Sequence, residues 1–353
     1  MAGVDTTRAL SEALFAPLDQ GLVGIGADQR VLVLGASEAQ SWRARAGTAW
    51  CCEQSFKPWA SALTSAGLRT AQAIAEADFD AVLIFVPRQR ERARALFASA
   101  ARRVREGGIV LAAQANQEGA RSAQADLAAL FGPLQHLSQR KCRVFWTRRE
   151  QARIDTDLLT RWRALGEVQR VGEREHWSRP GLFAWDRIDA GSALLAAHLP
   201  GTLAGRVADL GAAWGYLSCA IAQRCSGVRS IELYEAEALA LEPARRNLDE
   251  AVAACAHAPA IGIHWHDVTE GLPRRCDVVV MNPPFHEGRA DAPELGQAFI
   301  DAAADALDPP GELWLVANRH LPYEARLARR FEQVQAMADE GSFKVLCARG
   351  VRA

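Results

Sequence analysis

The chain has 353 residues and nowhere strings together the roughly 18 apolar residues that a membrane-spanning helix needs. Met1–Leu10 also lacks the apolar core of a signal peptide. A soluble, cytoplasmic protein without a membrane partner is expected. None of the eight cysteines forms a C-x-x-C, and Cys51 and Cys52 are adjacent, which suits neither a zinc site nor a disulfide framework. They are expected to be reduced, small core residues. There is no H-E-x-x-H, no phosphate loop and no G-x-S-x-G, so metalloprotease, NTPase and serine-hydrolase chemistry lack support. The residues His264, His266 and Asp267 do not make a metal site either. On a strand the two histidines share a face and the aspartate points away, so no metal is expected.

Net charge is also nearly absent, at −1, but its distribution is uneven. Residues 1–170 carry a balance of +6 and residues 171–353 one of −7. Only three of the 41 basic residues are lysine, and arginine is the side chain that holds phosphate through two parallel hydrogen bonds. Arg88, Arg90, Arg92 and Arg94 alternate, and Arg102, Arg103 and Arg105 are expected to continue the same helix. That last group is a candidate phosphate-binding surface, since clustered guanidinium groups neutralise phosphates.

What the chain does contain is a plan written twice. In the second half, GRVADLG (205–211), DVVVMNPPF (277–285), FIDAAADAL (299–307) and GELWLVANRHL (311–321) read as strand, strand, helix and strand. The first half answers with RVLVLG (30–35), DFDAVLIFVP (78–87), ARALFASAARRV (93–104) and GGIVLAAQANQEG (107–119). Each half closes on a final strand, at 139–146 and at 341–348. The expected class is α/β, with two tandem Rossmann-like domains arising from a duplication. Residues 1–165 form the first, 166–180 a polar, Gly/Pro-punctuated linker, and 181–353 the second.

The copies differ where chemistry would sit. Val278–Met281 reads as a buried parallel strand, so Asn282-Pro283-Pro284-Phe285 emerges at its carboxyl end, where open α/β sheets bind ligands. The prolines stiffen the turn and leave the carbonyls of Asn282 and Pro283 as fixed acceptors beside the Asn282 side-chain oxygen. Together they would receive the hydrogens of a planar amino group, and Phe285 would stack on its ring. The first copy has Phe85-Val86-Pro87-Arg88 there, and it looks catalytically empty. Asp209, Gly211 and Gly215 mark a strand, a tight turn and a helix start, a layout that brings a nucleotide-like ligand to a helix N-terminus. Glu235 ends the next strand, where an acidic side chain can accept from both ribose hydroxyls, and Asp267 ends the third, placed to meet an adenine amino group.

DLGAAWGYLS (209–218) resembles motif I of Rossmann-type S-adenosylmethionine (SAM) methyltransferases, and NPPF resembles motif IV of those that methylate planar nitrogens. With GLFAWDRIDAGSALL (181–195), VANRHLPY (316–323) and GSFKVL (341–346), the second half is similar to the bacterial ribosomal RNA guanine-N2 methyltransferases. Within them it is nearest the small-subunit methyltransferase C group, with the large-subunit methyltransferase G group as sibling. The resemblance implies two SAM-methyltransferase domains, the N-terminal one degenerate and left with RNA binding or support. It further implies that SAM lies under Phe183 and Asp189, is cradled by Asp209, Gly211 and Gly215, and is held at ribose and adenine by Glu235 and Asp267. The implied reaction is transfer of a methyl group to the exocyclic N2 of a guanine in 16S ribosomal RNA. The implied partner is that RNA or the ribosomal subunit, met by a monomer. Methylation of 23S ribosomal RNA, of a protein glutamine or of DNA, and a non-catalytic RNA-binding assembly role, are the alternatives. One departure stands out: the family usually has glycine where this chain has Ala213.

Overall fold

Alternating apolar runs and amphipathic segments give a strand order that occurs twice in this computed structural model, which describes residues 2–173, 175–255, 257–284, 286–287, 290–291 and 293–352. The chain divides into two units, Met1–Glu167 and Val168–Ala353. The first contains helix α1 (Ala2–Asp19), strands β1 (Val31–Leu34) and β2 (Trp50–Glu53), α2 (Lys57–Ser65), β3 (Arg69–Ala71), β4 (Phe79–Phe85) and α3 (Arg90–Arg103). β5 (Val104–Ala115), α4 (Ala120–Phe131), β6 (Gln135–Gln139), β7 (Cys142–Arg148) and α5 (Thr156–Ala164) complete it. Its sheet runs β3-β2-β1-β4-β5-β7-β6, and only the pairings of β7 are antiparallel.

The second unit opens with a hairpin, β8 (Gln169–Val171) and β9 (His176–Ser178). Then come α6 (Ala190–His198), β10 (Ala204–Leu210), α7 (Tyr216–Arg224), β11 (Gly227–Glu235), α8 (Leu241–Ala253), β12 (Ala260–Trp265) and β13 (Cys276–Met281). A short ribbon, β14 (His286–Glu287) with β15 (Ala290–Asp291), precedes α9 (Pro293–Ala306), β16 (Leu307–Asn318), α10 (Tyr323–Arg330), β17 (Phe331–Glu340) and β18 (Phe343–Val351). The order β12-β11-β10-β13-β16-β18-β17 repeats that of the first sheet, again antiparallel only at its penultimate strand.

In the second sheet, β10 lies between β11 and β13, so the chain departs from β10 and β13 toward opposite sides. The crevice at their carboxyl ends is the switch point where doubly wound sheets take ligands. Both faces of the sheet are covered. Val207, Leu233, Val278, Val280 and Trp314 pack under α6, α7 and α8, while Leu210, Val279, Met281 and Leu313 pack under α9 and α10. A strand buried on both faces must be apolar throughout, which is why the Val278–Met281 run shows no alternation.

Two expectations need correcting. The segment 166–180 is not a free linker, because Val168 onward belongs to the second unit and forms β8–β9. Asn247 of α8 accepts from the Trp177 N–H at 2.8 Å and donates to the Trp177 carbonyl at 2.9 Å, so a polar-looking segment is tied down by long-range hydrogen bonds. Arg170 and Arg246 each lie over the Trp177 ring, 4.6 and 4.8 Å from its centroid, and add cation–π attraction. Second, the third strand stops at Trp265, and Asp267 instead heads a 3-10 turn, its carboxylate accepting from Thr269 N at 2.9 Å. All eight cysteines are free and most are buried.

Candidate functional site

The glycine turn after β10 is built by a backbone that only some residues tolerate. Gly211 (φ 68°) and Gly215 (φ 87°) take the left-handed region at no steric cost, but Ala213 takes it too, at φ 47°. Its N–H donates to Glu235 Oε2 at 2.7 Å, and the other Glu235 oxygen accepts from Glu237 N at 2.7 Å. Glu235 thus stitches the turn to the end of β11. Trp214, next along, is 6% exposed, stacks on His176 with centroids 4.0 Å apart and donates to the Ala184 carbonyl. Asn247 accounts for the Trp214 carbonyl at 2.9 Å. A left-handed alanine costs about 1–2 kcal/mol against the right-handed form, and glycine escapes most of that. Ala213→Gly is therefore expected to stabilise the second unit by about 0.5–1 kcal/mol after glycine's own entropy cost, read as a melting-temperature rise of a few degrees. An unchanged or lower midpoint would show that the turn carries no such strain.

A shallow cleft opens over this turn. It is lined by Phe183, Ala184, Asp189, Ser192, Asp209, Gly211, Ala212, Ala213, Trp214, Tyr216, Leu217 and Asn282. Residues up to 99 positions apart in the sequence meet there. Of the expected set, Phe183, Asp189, Asp209, Gly211 and Asn282 share the cleft, and Gly215 caps α7 beside it. Phe183 is 54% exposed, an apolar side chain held in water above the opening. Glu235 and Asp267 are not part of the lining, and each carboxylate is engaged by nearby backbone N–H groups. Pro283 is buried and Pro284 half-buried, while Phe285 lies outside the described residues.

Asp209 is 1% exposed, and only its Oδ2 is partnered, by Ser218 N at 3.1 Å and Ser218 Oγ at 2.6 Å. Its Oδ1 is buried without a hydrogen bond among the described residues. Burial pushes the carboxyl up to about 7; the two Ser218 hydrogen bonds oppose the rise and the nearby Glu235 carboxylate adds to it. Burial likewise raises Glu235, against its backbone hydrogen bonds. An acceptor so placed calls for a hydrogen-bond donor. The ammonium group of SAM, the cofactor implied by the resemblance, is one, so the residues fit it.

Asn282 follows β13 directly, and its Nδ2 donates to Asp189 Oδ2 at 3.0 Å and to Ser192 Oγ at 2.8 Å. Asp189 caps α6, its Oδ2 accepting from Ser192 N at 2.8 Å. Ser192 went unnoticed in the sequence. An N-cap aspartate three residues before a serine is a common helix start, and nothing local indicates that both face a residue some ninety positions away.

Among the described residues, the corresponding positions of the first unit are filled differently. Gly35 N donates to the Glu53 carbonyl as Gly211 N does to Tyr234, which puts Gln54 where Glu235 stands. Gln54 is buried and spends its amide on the Ala36 carbonyl at 2.7 Å and the Phe56 N–H at 2.8 Å. A 3-10 turn, Arg43–Arg45, occupies the place of α7. The pairing of Leu34 with Ile84, matching Leu210 with Met281, sets the buried Phe85 at the position of Asn282.

Arg102, Arg103 and Arg105 do not share one helix. α3 ends at Arg103, so Arg105 lies on β5, where it pairs with Asp80 at 2.7 Å. Arg103 is 11% exposed and holds Glu53 at 2.6 Å together with the Ile74 carbonyl and Ser99. Arg102 and Arg105 are both exposed, and of the three Arg102 is the one without a partner among the described residues. Arg90 and Arg94 are also committed, both to the buried Asp126.

Residues 173–347 match the Methyltransferase small domain family, and residues 27–164 match the Methyltransferase small domain N-terminal family. The chain is 32% identical over 273 residues to ribosomal RNA small subunit methyltransferase C of Pseudomonas aeruginosa (strain LESB58), covering 76% of this chain and 78% of that protein. To the protein of the same name from Stutzerimonas stutzeri it is 28% identical, over 92% of each chain. Among solved structures it is similar to the T. thermophilus 16S rRNA N2 G1207 methyltransferase in complex with AdoMet and guanosine. The TM-score is 0.79 at 24% identity, covering 97% of this chain and 91% of that one, a likeness of fold across both units.

Proposed function

We propose that this chain, which belongs to the ribosomal RNA small subunit methyltransferase C family, transfers the methyl group of SAM to the exocyclic N2 of a guanine in 16S ribosomal RNA. The observation that carries the reading is Asn282 at the rim of the cleft, with its amide nitrogen held inward and its oxygen left for a ligand. SAM, when bound, supplies an electrophilic methyl group on a good leaving group, so no strong base is required of the protein. The guanine amine is a poor nucleophile because its lone pair is delocalised into the ring. Asn282 Oδ1 and the Pro283 carbonyl would accept its two hydrogens and favour a pyramidal nitrogen with its lone pair free to be alkylated, and the extra proton of the methylated nitrogen would pass to water. Phe285 is assigned the base-stacking role, and the guanine must leave its helix to reach the cleft. Asp209 takes the cofactor's ammonium, Glu235 its ribose and Asp267 its adenine.

In this reading the first unit is a degenerate copy, and the substitutions Gln54 for an acid and Phe85 for an amide support that. Its remaining part is RNA contact or support, and Arg102 is the member of the original cluster free to touch phosphate. Arg102→Ala is expected to reduce the dependence of log K on log salt by about one unit in gel-shift titrations, one counterion fewer being released. An unaltered slope removes Arg102 from the interface.

Asp209 imposes a pH dependence. Its folded pKa lies above the ordinary carboxylate value of about 4, so the stability it lends the empty protein is full below that value and lost as pH rises through about 7. A bound cation favours the ionised form. SAM affinity is therefore expected to climb with pH, by up to about tenfold per unit below 7, and to level off above it, with at most one proton released on binding. Calorimetry in buffers of different ionisation enthalpy reads this directly, and Asp209→Asn should abolish it. A flat profile in the wild type rules out the contact.

The whole reading is tested by incubating the protein with tritiated SAM and, separately, naked 16S RNA, small subunits, 23S RNA and total protein, then mapping the label. N2-methylguanine in 16S RNA or its subunit is the expected product. Label in 23S RNA or in protein, or none anywhere, overturns the assignment.

A further inference from the structure

We infer that Asp189 and Ser192 are positioning residues that lock the Asn282 amide in one orientation, and so make this side chain present only an acceptor to the substrate. The inference rests on the methyltransferase reading for its consequence, but its geometry stands on three hydrogen bonds. Asn282 Nδ2 has two hydrogens; Asp189 Oδ2 takes one at 3.0 Å and Ser192 Oγ the other at 2.8 Å. The terminal torsion of asparagine is soft and nearly two-fold, so an unrestrained amide would expose its NH2 about as readily as its oxygen. Turned over, this amide would place Oδ1 against the Asp189 carboxylate, two acceptors with no proton between them. That clash excludes the flipped form.

The lock is itself held rigidly. Asp189 Oδ2 also accepts from Ser192 N at 2.8 Å, so one oxygen caps α6 and fixes Asn282 together. Asp189 and Ser192 sit at the first turn of a helix whose Leu195 and Ala196 are buried in the core, and Asn282 extends a strand whose last residue, Met281, is fully buried. Neither half of the contact moves without unpacking a helix or a strand. The consequence is chemical selectivity: a nucleophile that arrives with N–H bonds is met by an acceptor, and one that offers a lone pair at that point is repelled. For an exocyclic amine, the lock keeps the acceptor in place before the substrate arrives, which is where preorganisation acts on rate.

The test has two readouts. In the full-length protein with selectively labelled asparagine, the side-chain amide protons of Asn282 should exchange slowly in the wild type and fast in Ser192→Ala and Asp189→Ala. Exchange as fast in the wild type as in the variants overturns the lock whether or not the protein methylates RNA. In single-turnover methyl transfer at saturating SAM and 16S RNA, Ser192→Ala should be slower by about 2- to 10-fold and Asp189→Ala by about 10- to 100-fold, the ranges expected for a neutral and a charged hydrogen bond. Asp189→Asn keeps a carbonyl oxygen at the shared position and a good N-cap, and should recover most of the Asp189→Ala loss. Placed on Asn282→Ala, neither alanine change should slow the reaction further, because the group they orient is gone. Full additivity there, or losses confined to SAM affinity, would show that the two residues act through the fold or the cofactor instead. A wild type that protects the Asn282 amide yet methylates no guanine would overturn the proposed function and leave the lock standing.

Discussion

Asn282→Ala is expected to slow methyl transfer by about two orders of magnitude or more while SAM binds within a few-fold of the wild type. That magnitude is the one associated with removing a single preorganised polar contact to the reacting group. The separation of the two effects follows from geometry. Asn282 sits at the end of β13 and directs its Nδ2 at Asp189 and Ser192, leaving Oδ1 for the proposed amine contact, whereas the turn proposed to cradle the cofactor hangs from β10 and β11. The alanine variant leaves Asp189 and Ser192 short of a donor, but both line an open cleft where water can supply one. The fold should therefore survive, and near-identical far-UV spectra and melting temperatures would accompany the kinetic loss. Full activity in the variant would remove Asn282 from the chemistry.

Glu235→Ala is expected to do the reverse and weaken SAM binding about 10- to 100-fold, the scale of a lost hydrogen-bonded carboxylate. The effect has two sources. Beyond its proposed contact with the ribose, Glu235 accepts the N–H groups of Ala213 and Glu237, so the alanine variant orphans both and releases a turn that already holds a left-handed alanine. Glu235→Gln separates the contributions. Its amide can accept one of those N–H groups and must present NH2 to the other, so it should recover only part of the affinity. Direct titration of SAM into each variant reads the result. An unchanged dissociation constant in the alanine variant would leave Glu235 a purely structural staple.

The two expectations divide the site between strands, and that division was largely legible in the residues. Strand ends carrying Asp209 and Asn282 could be found because a buried parallel strand is a short apolar run, and its carboxyl end is where the sequence turns polar. The duplicated strand order could be matched for the same reason, since periodicity and punctuation are local properties. The Gly-turn and its acid partner at Glu235 follow from spacing within one βαβ unit. A left-handed backbone at Ala213, by contrast, has no signal in a residue type that usually avoids it.

Contacts across the chain were invisible by the same logic. Arg102, Arg103 and Arg105 read as one basic helix, but α3 ends at Arg103, and Glu53 and Asp80, 50 and 25 residues earlier, claim two of the three. The polar run at 166–180 read as a linker because its partners, Asn247 and Glu250, lie about 70 residues further on. What the sequence by itself determined was the class of fold, the strand ends at Asp209 and Asn282 that line the cleft and the Asn-Pro-Pro turn, all set by local pattern. What only the tertiary structure decided was the company those residues keep: Asp189 and Ser192 against an asparagine 93 and 90 positions away, and Gln54 filling its own turn in the first unit. Those pairings depend on the register of strands and the docking of helices, which bring together side chains that have no influence on each other along the chain.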